Sequence, residues 1–206
     1  MPDVIERFPL FPLGIVLLPQ ELVPLHIFEE RYKLLIGACL EDDSEFGIVW
    51  LSDEGLRDVG CAARIVRVVE RFEDGRMDIV VEGTRPFRLE RRIEDLPYPA
   101  GDVELLDDID SEPSPELADK ARARYAELVE AATDDEPDTD ALAKLDAYGM
   151  AATVEHEPEA KQGLLELRIE DDRLRMVEEM FRTALKRVAY AEETAERARS
   201  NGNVKR

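Results

Sequence analysis

Cysteine and histidine are scarce, with two of each among 206 residues, and tryptophan occurs once. Cys39 and Cys61 stand alone in the apolar contexts IGACL and VGCAARI, with no nearby His or second Cys. That pattern excludes a zinc or dithiol motif and predicts two buried, reduced thiols. His26 lies in the apolar segment PLHIF, where a core position is expected, and His156 lies between Glu155 and Glu157, where a helix end is expected. Two histidines in separate regions predict neither a His-based general base nor a metal site. The five serines lack the small-residue elbow that exposes a nucleophile, and four of them adjoin Asp or Pro, as caps and turns do. No catalytic residue is expected.

Apolar runs long enough for a membrane span are also missing. The opening MPDVIERFPLFPL places acids before its apolar stretch and prolines through it, unlike a secretory or transit peptide, so the expected compartment is the cytoplasm and no membrane partner is expected. Positive charge is in deficit: 27 Lys+Arg face 48 Asp+Glu, a net charge of −21. The excess is spread, with 12 basic against 23 acidic residues over 1–107 and 15 against 25 over 108–206. Without a basic half to neutralise phosphates, nucleic acid is not an expected partner. The tightest basic group, Arg85, Arg88, Arg91 and Arg92, alternates with Glu82, Glu90 and Glu94 and reads as a solvated strand face.

Glycine motifs for nucleotides fail as well. Gly55 to Gly60 has phosphate-loop spacing, but Cys61-Ala62 follows where Lys-Ser/Thr must stand, and no GxG occurs. The acids Asp134, Glu136, Asp138 and Asp140 resemble a calcium loop only in charge, since Thr139 and Leu145 occupy the glycine and glutamate positions. A solvated loop is expected, and no metal or cofactor.

What the chain does have is 44% hydrophobic and 36% charged residues in two periodic regimes, which predict an α+β protein. To about Asp107 the signals are strands: prolines at 9, 12, 19 and 24 break the opening into short extended pieces, FGIVWL is a buried run, and ARIVRVVERF and RMDIVVEG flank the hairpin dipeptide Asp74-Gly75. RPFRLERRI and GDVELLDD bring the count to about six strands, enough for a small closed or partly closed β barrel. One helix interrupts them, FEERYKLLIGACL, with Phe28 and Tyr32 expected on a shared buried face. From Ser114 the period is helical: Ser114-Pro115 opens ELADKARARYAELVEAA, ALAKLDAYGMAATVEH follows, Pro158 starts a third helix, and Leu174, Val177, Phe181, Leu185 and Val188 stripe a fourth. The expected division is a barrel over 1–110, a helical bundle over 111–195 and a frayed tail over 196–206.

Several co-linear segments carry a family resemblance. FPLFPLGIVLLPQELVPLHIFEERYKLLIGACL, EFGIVWL, VGCAARIVRVVERFEDGRMDIVVEGTRPFRL, YPAGDVELL and EPEAKQGLLELRIEDDRLRMVEEMF together resemble the Lon protease N-terminal, or LON substrate-binding, domain over about residues 8–190. The resemblance implies a PUA-like β barrel followed by a helical bundle. It also implies, in the absence of ATPase and Ser-Lys protease motifs, a stand-alone protein that recognises unfolded or peptide segments without cleaving them, as an adaptor whose further partner is a protease or chaperone. A hydrolase with an unrecognised site and a PUA-like RNA-binding protein remain as alternatives. Of the motif residues, Pro24, Phe28, Arg31, Tyr32, Gly60, Gly75 and Gly83 are expected to serve the fold. Trp50, closing a strand, and Phe72 and Met77, flanking the hairpin tip, are the candidates for an apolar contact surface. At a net charge of −21, that surface is expected to prefer apolar segments bearing Lys or Arg.

Overall fold

The computed structural model describes residues 3–109, 112–133 and 137–201. Seven strands form one sheet: β1 (Val4–Leu13), β2 (Leu22–Ile27), β3 (Phe46–Ser52), β4 (Gly55–Leu56), β5 (Val59–Arg71), β6 (Met77–Ile93) and β7 (Ala100–Leu105). The order β1-β7-β6-β5-β3 returns to β1 through a parallel β1–β3 pairing, which closes a five-stranded barrel. β2 is added along β6, and β4 along β3. Closure leaves the five ring strands with no continuous free edge.

Two differences from the sequence reading concern strand length. Pro9 and Pro12 lie inside a single ten-residue β1; register shifts just before Pro9, between Ile5 and Phe8, where Arg7 takes a φ of 56°, and Pro12 lies opposite Val49 in the parallel β1–β3 pairing. The expected strands RMDIVVEG and RPFRLERRI are one 17-residue β6, which pairs with β5 from Met77 to Arg88, with β2 from Met77 to Glu82, and with β7 from Phe87 to Ile93. The hairpin turn is as read: Gly75 has a φ of 82°, and Phe72 N donates to Arg76 O at 2.9 Å. At Gly83 a Cβ would lie 2.1 Å from Leu18 O, so only glycine lets the 18–21 segment cross β6.

Alternation along the strands fills two cores. Phe8, Leu10, Val49, Ala62, Phe87 and Val103 come from all five ring strands and cluster inside the ring. The opposite faces, including Phe46, Ile48, Trp50 and Ile79, pack beneath helix α1 (Glu30–Asp42) and against the helical unit in one continuous core. That unit comprises α2 (Pro115–Thr133), α3 (Thr139–Leu142), α4 (Ala147–Ala151), α5 (Pro158–Leu165) and α6 (Glu170–Asn201). The expected helix ALAKLDAYGMAATVEH is instead broken into α3 and α4. Asp138 caps the first by accepting from Asp140 N and Ala141 N, and Asp146 caps the second by accepting from Gly149 N at 2.7 Å. Asp134 and Glu136 of the acidic loop lie outside the described residues, and α6 continues to Asn201, through the first part of the expected frayed tail. No described helix is long and apolar enough to cross a membrane.

The barrel and helices are clasped by polar side chains. Arg173 is buried, donates to Glu170 Oε2 at 2.8 Å and to Leu167 O at 3.1 Å, and reaches Asp108 just beyond β7 at 2.7 Å. Its guanidinium also lies 4.6 Å from the Tyr148 ring centre; burial pushes the Tyr148 hydroxyl pKa up, and the Arg173 charge opposes that rise. Lys161 pairs with Glu21 at 2.7 Å, and the Gln162 amide donates to Val59 O at 3.1 Å.

Candidate functional site

A groove opens where the parallel β1–β3 pairing brings Phe11, Pro12 and Leu13 beside the end of β3, with Leu25 and Ile27 of β2 as the second wall. Leu51, Leu56, Phe28 and Tyr32 also line it, as does Arg92 at the end of β6. Its volume is about 590 Å³. A second concavity of about 350 Å³ continues from it beneath the segment Leu96 to Pro99 and shares Pro12, Arg31, Leu56 and Arg92. Two large apolar side chains stand exposed at the groove, Phe28 at 59% and Leu51 at 52%. Exposed apolar side chains gathered around a concavity on a highly charged protein mark a surface suited to another chain.

Phe28 was expected in the core. Helix α1 begins at Glu30 with Glu29 extended before it, so Phe28 precedes the helix and does not share the face of Tyr32, Leu35, Ile36 and Cys39, which are buried. Its ring stacks on His26 at 5.9 Å between centres. Tyr32 packs on Phe11 at 4.0 Å, with the Arg31 guanidinium 4.5 Å from its ring centre, and burial raises its hydroxyl pKa.

Of the three residues expected to form the contact surface, two are corrected. Trp50 is 7% exposed, because β3 is central and covered on both faces; Met77 is 5% exposed, because it pairs with Ile27 and its side chain turns into the main core. Phe72 is half-buried beside the hairpin, with Arg76 stacked 5.0 Å from its ring centre and His26 6.0 Å away on the other side. Pro24 lies exposed on β2 opposite Val80, Gly60 lies in β5 opposite Phe87, and Arg31 is paired with Glu29 at 2.9 Å. His26 is exposed too, contrary to the core position expected of it: its position on β2 points to the outer face, where Nδ1 meets Asp78 at 2.6 Å. Among the described residues neither histidine is hydrogen-bonded to a serine or cysteine. Cys39 and Cys61 are buried free thiols, and burial raises both pKa values.

A larger cleft of about 830 Å³ lies in the helical unit between α2, residues 153–157 and α6. Its rim is charged, with Arg187 paired to Glu157 at 3.0 Å, and its wall includes His156, whose Nε2 is buried without a partner. Burial lowers the His156 pKa to about 4, with the charges of Lys161 and Arg187 adding to the effect. No described group of three or more His, Cys, Asp or Glu could hold a metal.

The signal for the groove that the sequence does contain is the apolar pair Leu51 and Leu56 around the Ser52 to Gly55 turn, and the apolar Phe28 just ahead of a helix start; neither identifies its neighbours.

Comparison with known proteins agrees with this architecture. A family model described as the ATP-dependent protease La (LON) substrate-binding domain matches residues 7–183. Lon protease 2 of Myxococcus xanthus is 29% identical over 115 residues, covering 52% of this chain and 14% of that protein. Lon protease of Parabacteroides distasonis is 30% identical over 112 residues, covering 50% and 14%. The chain thus spans 14% of the length of these curated relatives. Among solved structures, a Lon N-terminal domain protein from Xanthomonas campestris superposes with a TM-score of 0.66 at 27% identity, covering 84% of this chain and 97% of that one. The N-terminal domain of Lon protease from the Mycobacterium avium complex shares the fold, with a TM-score of 0.62 at 22% identity over 85% and 98% of the two chains. The barrel, the helical unit behind it and a family match over most of its length make this chain a member of the LON substrate-binding domain family.

Proposed function

We propose that this chain is a non-enzymatic polypeptide-recognition module that holds extended apolar segments in the barrel groove, serving as a cytoplasmic adaptor in protein quality control with a protease or chaperone as its further partner. The observation that carries this reading is the exposure of Phe28 and Leu51 at the rim of a concavity already lined by Phe11, Leu13, Leu25 and Tyr32. Binding an apolar segment would remove those side chains from water at roughly 25 cal/mol per Å² of apolar surface, and the closed barrel beneath them keeps the walls rigid, so little ordering cost is added. The family's substrate-binding description supports the same assignment.

The test is titration of a permanently unfolded, fluorescently labelled polypeptide with the wild-type chain and with Phe28→Ser/Leu51→Ser. The expected result is binding that weakens at least tenfold in the double variant while its thermal unfolding is unchanged. Equal affinity for both proteins would overturn the groove assignment. Cleavage of the polypeptide by rigorously purified chain would overturn the non-enzymatic reading.

A further inference from the structure

We propose that the groove selects apolar segments that carry a carboxylate, and that Arg92 is the residue that takes it; this rests on the groove being the polypeptide site. The inference reverses the preference expected from net charge. A charge of −21 describes the far field, whereas a segment in the groove meets only the groups that line it.

Those groups can be accounted for one by one. Around the first concavity the ionisable side chains are His26, Glu29, Arg31 and Arg92. Glu29 and Arg31 are joined at 2.9 Å and neutralise each other, and Arg31 is further occupied by the Tyr32 ring. His26 is bonded to Asp78. Arg92 is exposed, borders both concavities, and its guanidinium has no ion-pair partner among the described residues. Its neighbours on the same edge are already matched, Arg91 to Asp102 at 2.6 Å and Arg7 to Asp95 at 3.1 Å, so those two acids are engaged elsewhere. Glu94, two residues on, lines the second concavity and a further one beside Arg91 and Asp95, but not the first, and disfavours a carboxylate there. The position for an acid is therefore the junction at Arg92, with apolar residues running from it toward Phe28 and Leu51. A planar guanidinium beside apolar walls suits a carboxylate, which it can grip through two parallel hydrogen bonds.

The experiment compares three apolar peptides of equal length that differ at one central position, Glu, Gln or Lys, by fluorescence anisotropy against the full chain. The wild-type chain is expected to bind the Glu peptide about threefold to fivefold more tightly than the Gln peptide, in line with a single partly exposed ion pair, and the Lys peptide most weakly. Arg92→Gln should erase the Glu preference, Arg92→Glu should turn it toward Lys, and Arg88→Gln, on the same strand outside the groove, should leave it intact. Tightest binding of the Lys peptide to wild type, or a Glu preference that survives Arg92→Gln, would overturn the proposal while leaving the groove assignment standing. Binding of none of the three peptides, with Phe28→Ser/Leu51→Ser equally inert, would remove the groove assignment itself and this inference with it.

Discussion

The barrel and the helical unit are held by different means. In the barrel, side chains from five strands fill a ring interior, and the opposite faces pack against helices, so its rigidity rests on apolar burial and a closed hydrogen-bond ladder. In the helical unit, short elements are stopped and docked by polar groups: Asp138 and Asp146 cap α3 and α4, Glu170 accepts from Ala147 N at 2.8 Å, and Arg173 ties α6 to Asp108. The groove lies at the side of the barrel, between β1, the added strands β2 and β4 and the start of α1, and the larger cleft lies in the helical unit. Preorganised walls lower the ordering cost of binding, which is why we propose the smaller concavity, and not the larger cleft, as the binding site.

The contrast can be broken first at Trp50. If β3 is the centre of the barrel, Trp50→Ala should cost about 3–5 kcal/mol of folding stability, measured by urea denaturation, because a large buried ring leaves a cavity the ladder cannot close. Next comes the clasp. Arg173→Ala leaves Glu170 and Asp108 without their cation, and since Asp108 is half exposed the expected loss is about 2–4 kcal/mol. The loss should appear as earlier melting of helical signal than of the Trp50 fluorescence; coincident transitions would show that the two units are one cooperative whole.

The third prediction concerns pH. His156 has its pKa lowered from 6.5 to about 4 by burial. The unfolded chain therefore takes up a proton below about pH 6.5 that the folded chain refuses until about pH 4. Stability fully present above pH 6.5 should decline as pH falls through that window, by about 1–3 kcal/mol more in wild type than in His156→Phe. Parallel pH profiles for the two proteins would contradict the burial of this ring. The smallest effect is expected at Phe28: exposed on the surface, Phe28→Ala should change stability by less than about 0.5 kcal/mol while weakening polypeptide binding.

Trp50 and Phe28 also show where the sequence was informative. Local signals were sound where local chemistry decides the outcome. Ser114-Pro115 marks the start of α2, Asp74-Gly75 marks the hairpin, and the spacing of Tyr32, Leu35, Ile36 and Cys39 marks the buried face of α1. They failed at boundaries and across the chain. Glu29 makes no side-chain cap bond, so nothing in FEERY distinguishes a helix starting at Phe28 from one starting at Glu30, and that two-residue difference moves Phe28 from core to surface. Trp50 read as closing a strand, whereas β3 runs through the middle of the barrel and its Trp50 side chain packs into the main core with residues distant in sequence. The groove has the same origin. Its residues at 11–13, 25–32, 51–56 and 92 meet only because the ring closes and β2 lies along β6, and a single chain read locally carries no record of that juxtaposition.

The most direct test of the account is hydrogen–deuterium exchange of the full chain with and without a saturating unfolded polypeptide. Binding in the barrel groove predicts slowed exchange at residues 11–13, 25–32 and 51–56, with 153–157 and the facing turns of α2 and α6 unchanged. Protection confined to that helical cleft, with the barrel segments exchanging as in the free chain, would contradict the account.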